Sequence, residues 1–92
     1  METEWRNELN RVMKSARSRW ELGGLLQQLL TPKEYSELSR RWQIVKLLIE
    51  GETQRAVQDK VKVAIATVER GAREVKYGSG IVQKFYRRLY AK

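Results

Sequence analysis

Apolar side chains in this chain recur at intervals of three and four residues, and no stretch alternates apolar with polar residues for long. That period matches a helix with one greasy face and is wrong for a half-buried strand. Trp5, Leu9, Val12, Met13, Ala16 and Trp20 mark the first such stripe, with Arg6, Lys14, Arg17 and Arg19 mostly off it. One proline and six glycines leave few places to break a helix. The spacing predicts an all-α chain of about six short helices.

The breaks that do occur are informative. Gly23-Gly24 loosens the chain before Leu25, Leu26, Leu29 and Leu30, which read as a short, well-buried helix. Thr31-Pro32-Lys33-Glu34 is the clearest helix start: Thr31 caps, Pro32 suits the first helical position, and Glu34 completes a capping box. The next helix carries Tyr35, Leu38, Trp42, Val45, Leu48 and Ile49, and Gly51 suits its left-handed end. Thr53 caps a short helix from Gln54 to about Lys60; a turn at Val61, Lys62 and Val63 leads to another from Ala64 to about Lys76. Gly78-Ser79-Gly80 precedes a last helix with Ile81, Val82, Phe85, Leu89 and Tyr90 on its apolar side.

At 92 residues the chain reads as a single domain, 1–92. A lone domain of this size buries too little surface to be comfortably stable. The large apolar residues near both ends (Trp5, Trp20, Phe85, Leu89, Tyr90) call for a homodimer with interlocking terminal helices. Nineteen lysines and arginines against eleven acids give a net charge of +8. That surplus favours a polyanionic partner, nucleic acid first. The absence of cysteine and histidine removes disulfides, thiolate metal sites, the commonest metal ligand and the usual neutral-pH proton shuttle. No metal site and no enzyme is expected. No apolar run approaches the ~20 residues of a membrane span, and the acidic start (Glu2, Glu4) is unlike a signal peptide. A soluble, cytoplasmic protein is expected.

Residues 53–71 have the cadence of a helix-turn-helix. Ala56 is small where two helices cross, and Val57, Val61, Val63, Ile65 and Val68 supply apolar contacts to fix their angle. The pattern fits a DNA reader, and it also fits a structural hairpin.

The spelling is more specific. Leu29-Leu30-Thr31-Pro32, Ile44-Val45 through Gly51-Glu52, Gln54-Arg55, and Ile65-Ala66-Thr67-Val68 with Arg70-Gly71 closely resemble the tryptophan repressor family, in its order and at nearly its spacing. The resemblance covers about residues 25–76, and the flanking helices match in pattern only. It implies an intertwined dimer whose helix-turn-helices, about residues 53–76, read successive major grooves of a double-stranded DNA operator. It also implies L-tryptophan as corepressor. By the same resemblance, Arg41 and Arg70 are the arginines that sandwich the indole and meet the carboxylate, chemistry suited to guanidinium planes. Thr31 assists at the carboxylate, carbonyls near Gln28 and Leu30 take the ammonium, and Gly71 and Glu74 lie at the pocket. Arg55 stands for the arginine that reaches a guanine. Gln54, Gln58, Ile65, Ala66, Thr67, Glu69, Arg73 and Lys76 stand for residues facing bases, bridging water or phosphate.

Departures from the family pattern fall in the functional half. Lys62 and Ala64 stand where the family usually has glycine in or near the turn, and a left-handed backbone at Lys62 would be strained. Glu69 replaces a small hydroxyl residue. Glu74 stands where the family commonly has serine; one turn after Arg70, it is in reach of an ion pair that would compete with a ligand's carboxylate, or it could instead hold an ammonium and support a different amine. The expected function is a sequence-specific repressor activated by L-tryptophan or a related indole or amino acid. The alternatives are a ligand-independent DNA-binding dimer of the same build, with Glu74 doing internally what a ligand does elsewhere, and a basic helical module for RNA or protein.

Overall fold

The computed structural model describes residues 1–91, and among them the backbone forms six helices and no strand. They are α1 (Glu2–Lys14), α2 (Arg19–Leu29), α3 (Pro32–Ile49), α4 (Gln54–Val61), α5 (Ile65–Tyr77) and α6 (Ile81–Tyr90). The chain divides into two compact units, the first ending at Ser36 and the second beginning at Glu37, so α3 starts in one and runs on into the other.

In the first unit side-chain caps open α2 and α3. The Ser18 Oγ accepts from the Glu21 N–H at 3.1 Å, and the Glu21 carboxylate accepts from the Arg17 N–H at 3.0 Å. This stop and restart between Ser15 and Ser18 corrects the single stripe expected from Trp5 to Trp20: Ala16 lies between helices and Trp20 belongs to α2. Gly23 and Gly24 lie inside α2 and do not break it, because that restart lies upstream of them. At Thr31 the expected capping box forms in both directions, Glu34 N–H to Thr31 Oγ1 at 3.1 Å and Thr31 N–H to Glu34 Oε1 at 2.9 Å. The expectation of a well-buried helix at Leu25–Leu30 does not hold in the single chain. No residue of α2 is buried, and Leu29 is 57% exposed.

The second unit is organised around three side chains. Ile44 of α3, Val57 of α4 and Val68 of α5 are fully buried against one another, with Leu47, Leu48, Val61 and Val63 around them. Ile65, expected among these contacts, is 42% exposed. It opens α5, beyond the crossing that Val68 occupies. Helix α3 ends as Gly51 predicts. Its φ is 95°, its N–H bonds the Leu48 carbonyl and the Glu52 N–H bonds the Leu47 carbonyl. Thr53 then caps α4, accepting from the Ala56 N–H at 3.1 Å, and Glu52, just before α4, pairs with Lys60 in its last turn.

One backbone conformation and one close approach fix how α5 lies. Lys62, between α4 and α5, adopts the left-handed conformation with φ 61° and ψ 57°. A Cβ at Gly71 would stand 2.7 Å from the Ile44 Cγ2 methyl, so α5 and α3 touch where only glycine fits. Helix α6 is held by polar contacts. Gln83 donates to the Val75 carbonyl at 2.6 Å, the Trp42 indole N–H donates to Tyr90 Oη at 3.3 Å, and the Tyr86 phenol donates to Glu50 at 2.9 Å. The hydrogen bond to the Glu50 carboxylate, then desolvation and the negative charge, raise the Tyr86 pKa above 10.0. Because the folded value is the higher one, this bond supports the fold below pH 10.0 and is lost as pH rises through the raised value.

These contacts set two stability expectations, both read by urea unfolding. Lys62→Gly relieves a left-handed residue and is expected to stabilise the protein by up to ~1 kcal/mol, the steric relief being partly offset by chain entropy. Gly71→Ala gains ~1 kcal/mol of helix propensity but overpacks the Ile44 contact by ~1–3 kcal/mol, so a net loss is expected. An alanine variant more stable than its parent would show that α3 and α5 separate freely.

Candidate functional site

Helix α5 presents two different sides. Its outer positions Ile65, Ala66, Glu69, Arg73 and Lys76 are exposed. Gln54 and Arg55, at the start of α4, are exposed too, while Gln58 is half-buried. The α4–turn–α5 hairpin therefore carries Arg55, Arg73 and Lys76 as surface cations, with Glu69 as an acid among them. The Lys76 ammonium lies 5.3 Å from the centre of the neighbouring Tyr77 ring, which steadies it as a cation–π pair.

The other side of α5 faces α3 across a cavity of about 110 Å³, lined by Arg41, Ile44, Val45, Thr67, Arg70, Gly71 and Glu74. Four of the seven residues expected at the corepressor meet here: Arg41, Arg70, Gly71 and Glu74. Ile44 and Val45 give the wall its apolar part. Gly71 keeps it open, since a side chain there would run into Ile44. The remaining three, Gln28, Leu30 and Thr31, belong to the first unit. There the Thr31 hydroxyl is engaged as the cap of α3.

The structure also answers the question raised by Glu74. An Arg70–Glu74 ion pair, one of the two possibilities that their spacing left open, does not form among the described residues. Among the described residues the ion pairs are Glu2–Arg6 and Glu52–Lys60. The Glu74 carboxylate instead lies along the end of α5, with Oε2 3.2 Å from where a Cβ on Gly78 would stand. The absence of that side chain leaves it room.

Thr67, grouped by resemblance with the DNA-facing residues, is half-buried and lines this cavity. With Arg41 it also lines an adjoining cavity of about 270 Å³, whose other walls are Glu37, Arg40, Lys62, Val63 and Ala64. Together the two spaces reach the lower end of the ~300–1,000 Å³ range of small-molecule sites. Glu37 and Arg40 were not singled out in the sequence. The available signal was their position on α3, four residues and one residue before Arg41.

The comparisons with known proteins agree with this build. The family described as Trp repressor protein matches residues 4–90, reaching into all six helices. A Trp operon repressor homolog of Vibrio vulnificus (strain YJ016) is 36% identical over 78 residues, covering 84% of this chain and 76% of that protein. A Trp operon repressor homolog of Vibrio cholerae serotype O1 (strain ATCC 39315 / El Tor Inaba N16961) is 39% identical over 75 residues, covering 80% and 72% respectively. No solved structure matches the chain. A family match of this length, joined to relatives of this identity, means that the chain belongs to the Trp repressor protein family.

Proposed function

We propose that this protein is a sequence-specific DNA-binding transcriptional repressor that acts as an intertwined homodimer, with residues 1–92 as one domain, and takes L-tryptophan or a related indole as corepressor. The observation that carries the reading is the double duty of α5. Arg70, Gly71 and Glu74 line a cavity with Arg41, while Arg73 and Lys76 on the same helix stand exposed beside Arg55 of α4. A ligand seated against Arg41 and Arg70 touches the element that would enter the groove, which is what coupling between the two sites requires. The net charge of +8 supports a phosphate-rich partner.

Exposed apolar surface supports the dimer. Trp5 is 63% exposed, Trp20 77% and Leu89 71%, and Ile81 and Phe85 are each at least half exposed. Side chains of this size are seldom left in water in such number unless a partner covers them. In light scattering at micromolar concentration the expected mass is twice the 10.9 kDa of one chain. A stably folded species of single mass would remove the dimer from this account.

The operator reading is tested on duplexes selected from a randomised pool, titrated with and without tryptophan. Affinity is expected to fall steeply with salt and to rise with tryptophan, by the same factor that DNA raises tryptophan affinity. Arg55→Ala is expected to cost ~1–3 kcal/mol and relax one guanine per half-site, whereas Lys76→Ala weakens all sequences alike. Arg70→Leu is expected to abolish tryptophan binding in calorimetry. Full-strength operator binding without ligand, together with no heat at millimolar tryptophan, would replace this reading with the ligand-independent one.

A further inference from the structure

We infer that Glu69 is a base reader, selecting cytosine at one position of each half-site by accepting a hydrogen bond from the exocyclic amino group. The inference rests on the operator reading above and goes on from it to the choice of base. Glu69 stands midway along the outer side of α5, one turn after Ile65 and one turn before Arg73, and it is exposed. Among the outer positions Ile65, Ala66, Glu69, Arg73 and Lys76 it is the single acid. A glutamate four residues ahead of an arginine has the favoured spacing and order for a helical ion pair. Yet Glu69 and Arg73 form none among the described residues. The carboxylate is thus left open to a donor from outside the chain.

Duplex DNA offers few such donors. Its phosphates repel a carboxylate, so Glu69 works against Arg55, Arg73 and Lys76 wherever it meets only the backbone. In the major groove the donors are the amino groups of cytosine and adenine, while guanine and thymine turn acceptors outward. An ionised carboxylate accepts and does not donate, so guanine and thymine repel it. Adenine sets its N7 acceptor beside the amino group, where it meets the second carboxylate oxygen as a like partial charge. Cytosine has a C–H at that place. Ile65 and Ala66, the preceding turn of the same side, carry no charge to draw the carboxylate away. The group that weakens binding at the backbone therefore discriminates at one base.

The test uses the full chain, millimolar tryptophan and duplexes selected from a randomised pool, with each half-site position then varied through all the bases. The parent is expected to prefer cytosine at one position by about tenfold over thymine or guanine, with adenine between. Glu69→Gln is expected to move that preference to adenine, whose amino group and N7 a carboxamide meets together. Glu69→Ala is expected to abolish it. In both variants the guanine assigned to Arg55 stays preferred, which shows that the hairpin still folds and docks. Equal tightening on every sequence in Glu69→Ala, with the base ranking unchanged, would make Glu69 a repeller of phosphate. That result would overturn the inference and leave the operator reading standing. A parent that binds no selected duplex better than random sequence would overturn both.

Discussion

The contact among Ile44, Val57 and Val68 is the point on which the second unit depends. Each of three helices contributes one fully buried side chain to it, and the surrounding Leu47, Leu48, Val61 and Val63 are only partly covered. A core this small leaves little redundancy, so the directions of α4 and α5 against α3 follow from a single meeting point. Ile44 serves twice, because the side chain that closes the core also forms a wall of the cavity. Core packing and the shape of the cavity are thus set by the same side chain, and Gly71 is the residue that lets them coexist.

Much of this was legible beforehand, and where it was, a local rule carried it. The capping box at Thr31 and Glu34, the left-handed Gly51 and the Thr53 cap follow from residue types whose geometry needs no distant partner. The gap between α1 and α2 was masked because Trp20 falls on the helical spacing of the helix before it. Its true signal was Ser18 followed three residues later by Glu21, the same signature read correctly at Thr31. The burial of Leu29 could not be read from its leucine neighbours, since covering an apolar face takes a second surface that periodicity does not specify.

At the site, the resemblance supplied Arg41, Arg70, Gly71 and Glu74 as a group, and the fold draws them to one cavity although nearly thirty residues of sequence separate Arg41 from Arg70. What spacing alone left open was pairing. Arg70 and Glu74 stand at an ion-pair interval, yet the carboxylate turns toward the glycine end of α5. An exposed pair of that kind is worth only ~0.3–0.5 kcal/mol, little enough for local room to decide. Thr67 shows the converse. Lying between exposed Ala66 and buried Val68, it turns inward, because successive helical positions are 100° apart and only part of α5 can face outward.

Lys62 has a mechanical meaning apart from its strain. A glycine at the corner between α4 and α5 would permit a wide range of backbone angles on both sides of φ 0°, and the corner would act as a pivot. A lysine held at φ 61° and ψ 57° occupies a narrow basin bounded by steric walls. The corner is therefore a brace. The angle between α4 and α5 is held at the corner itself, by the backbone of one residue as well as by the Val57–Val68 contact.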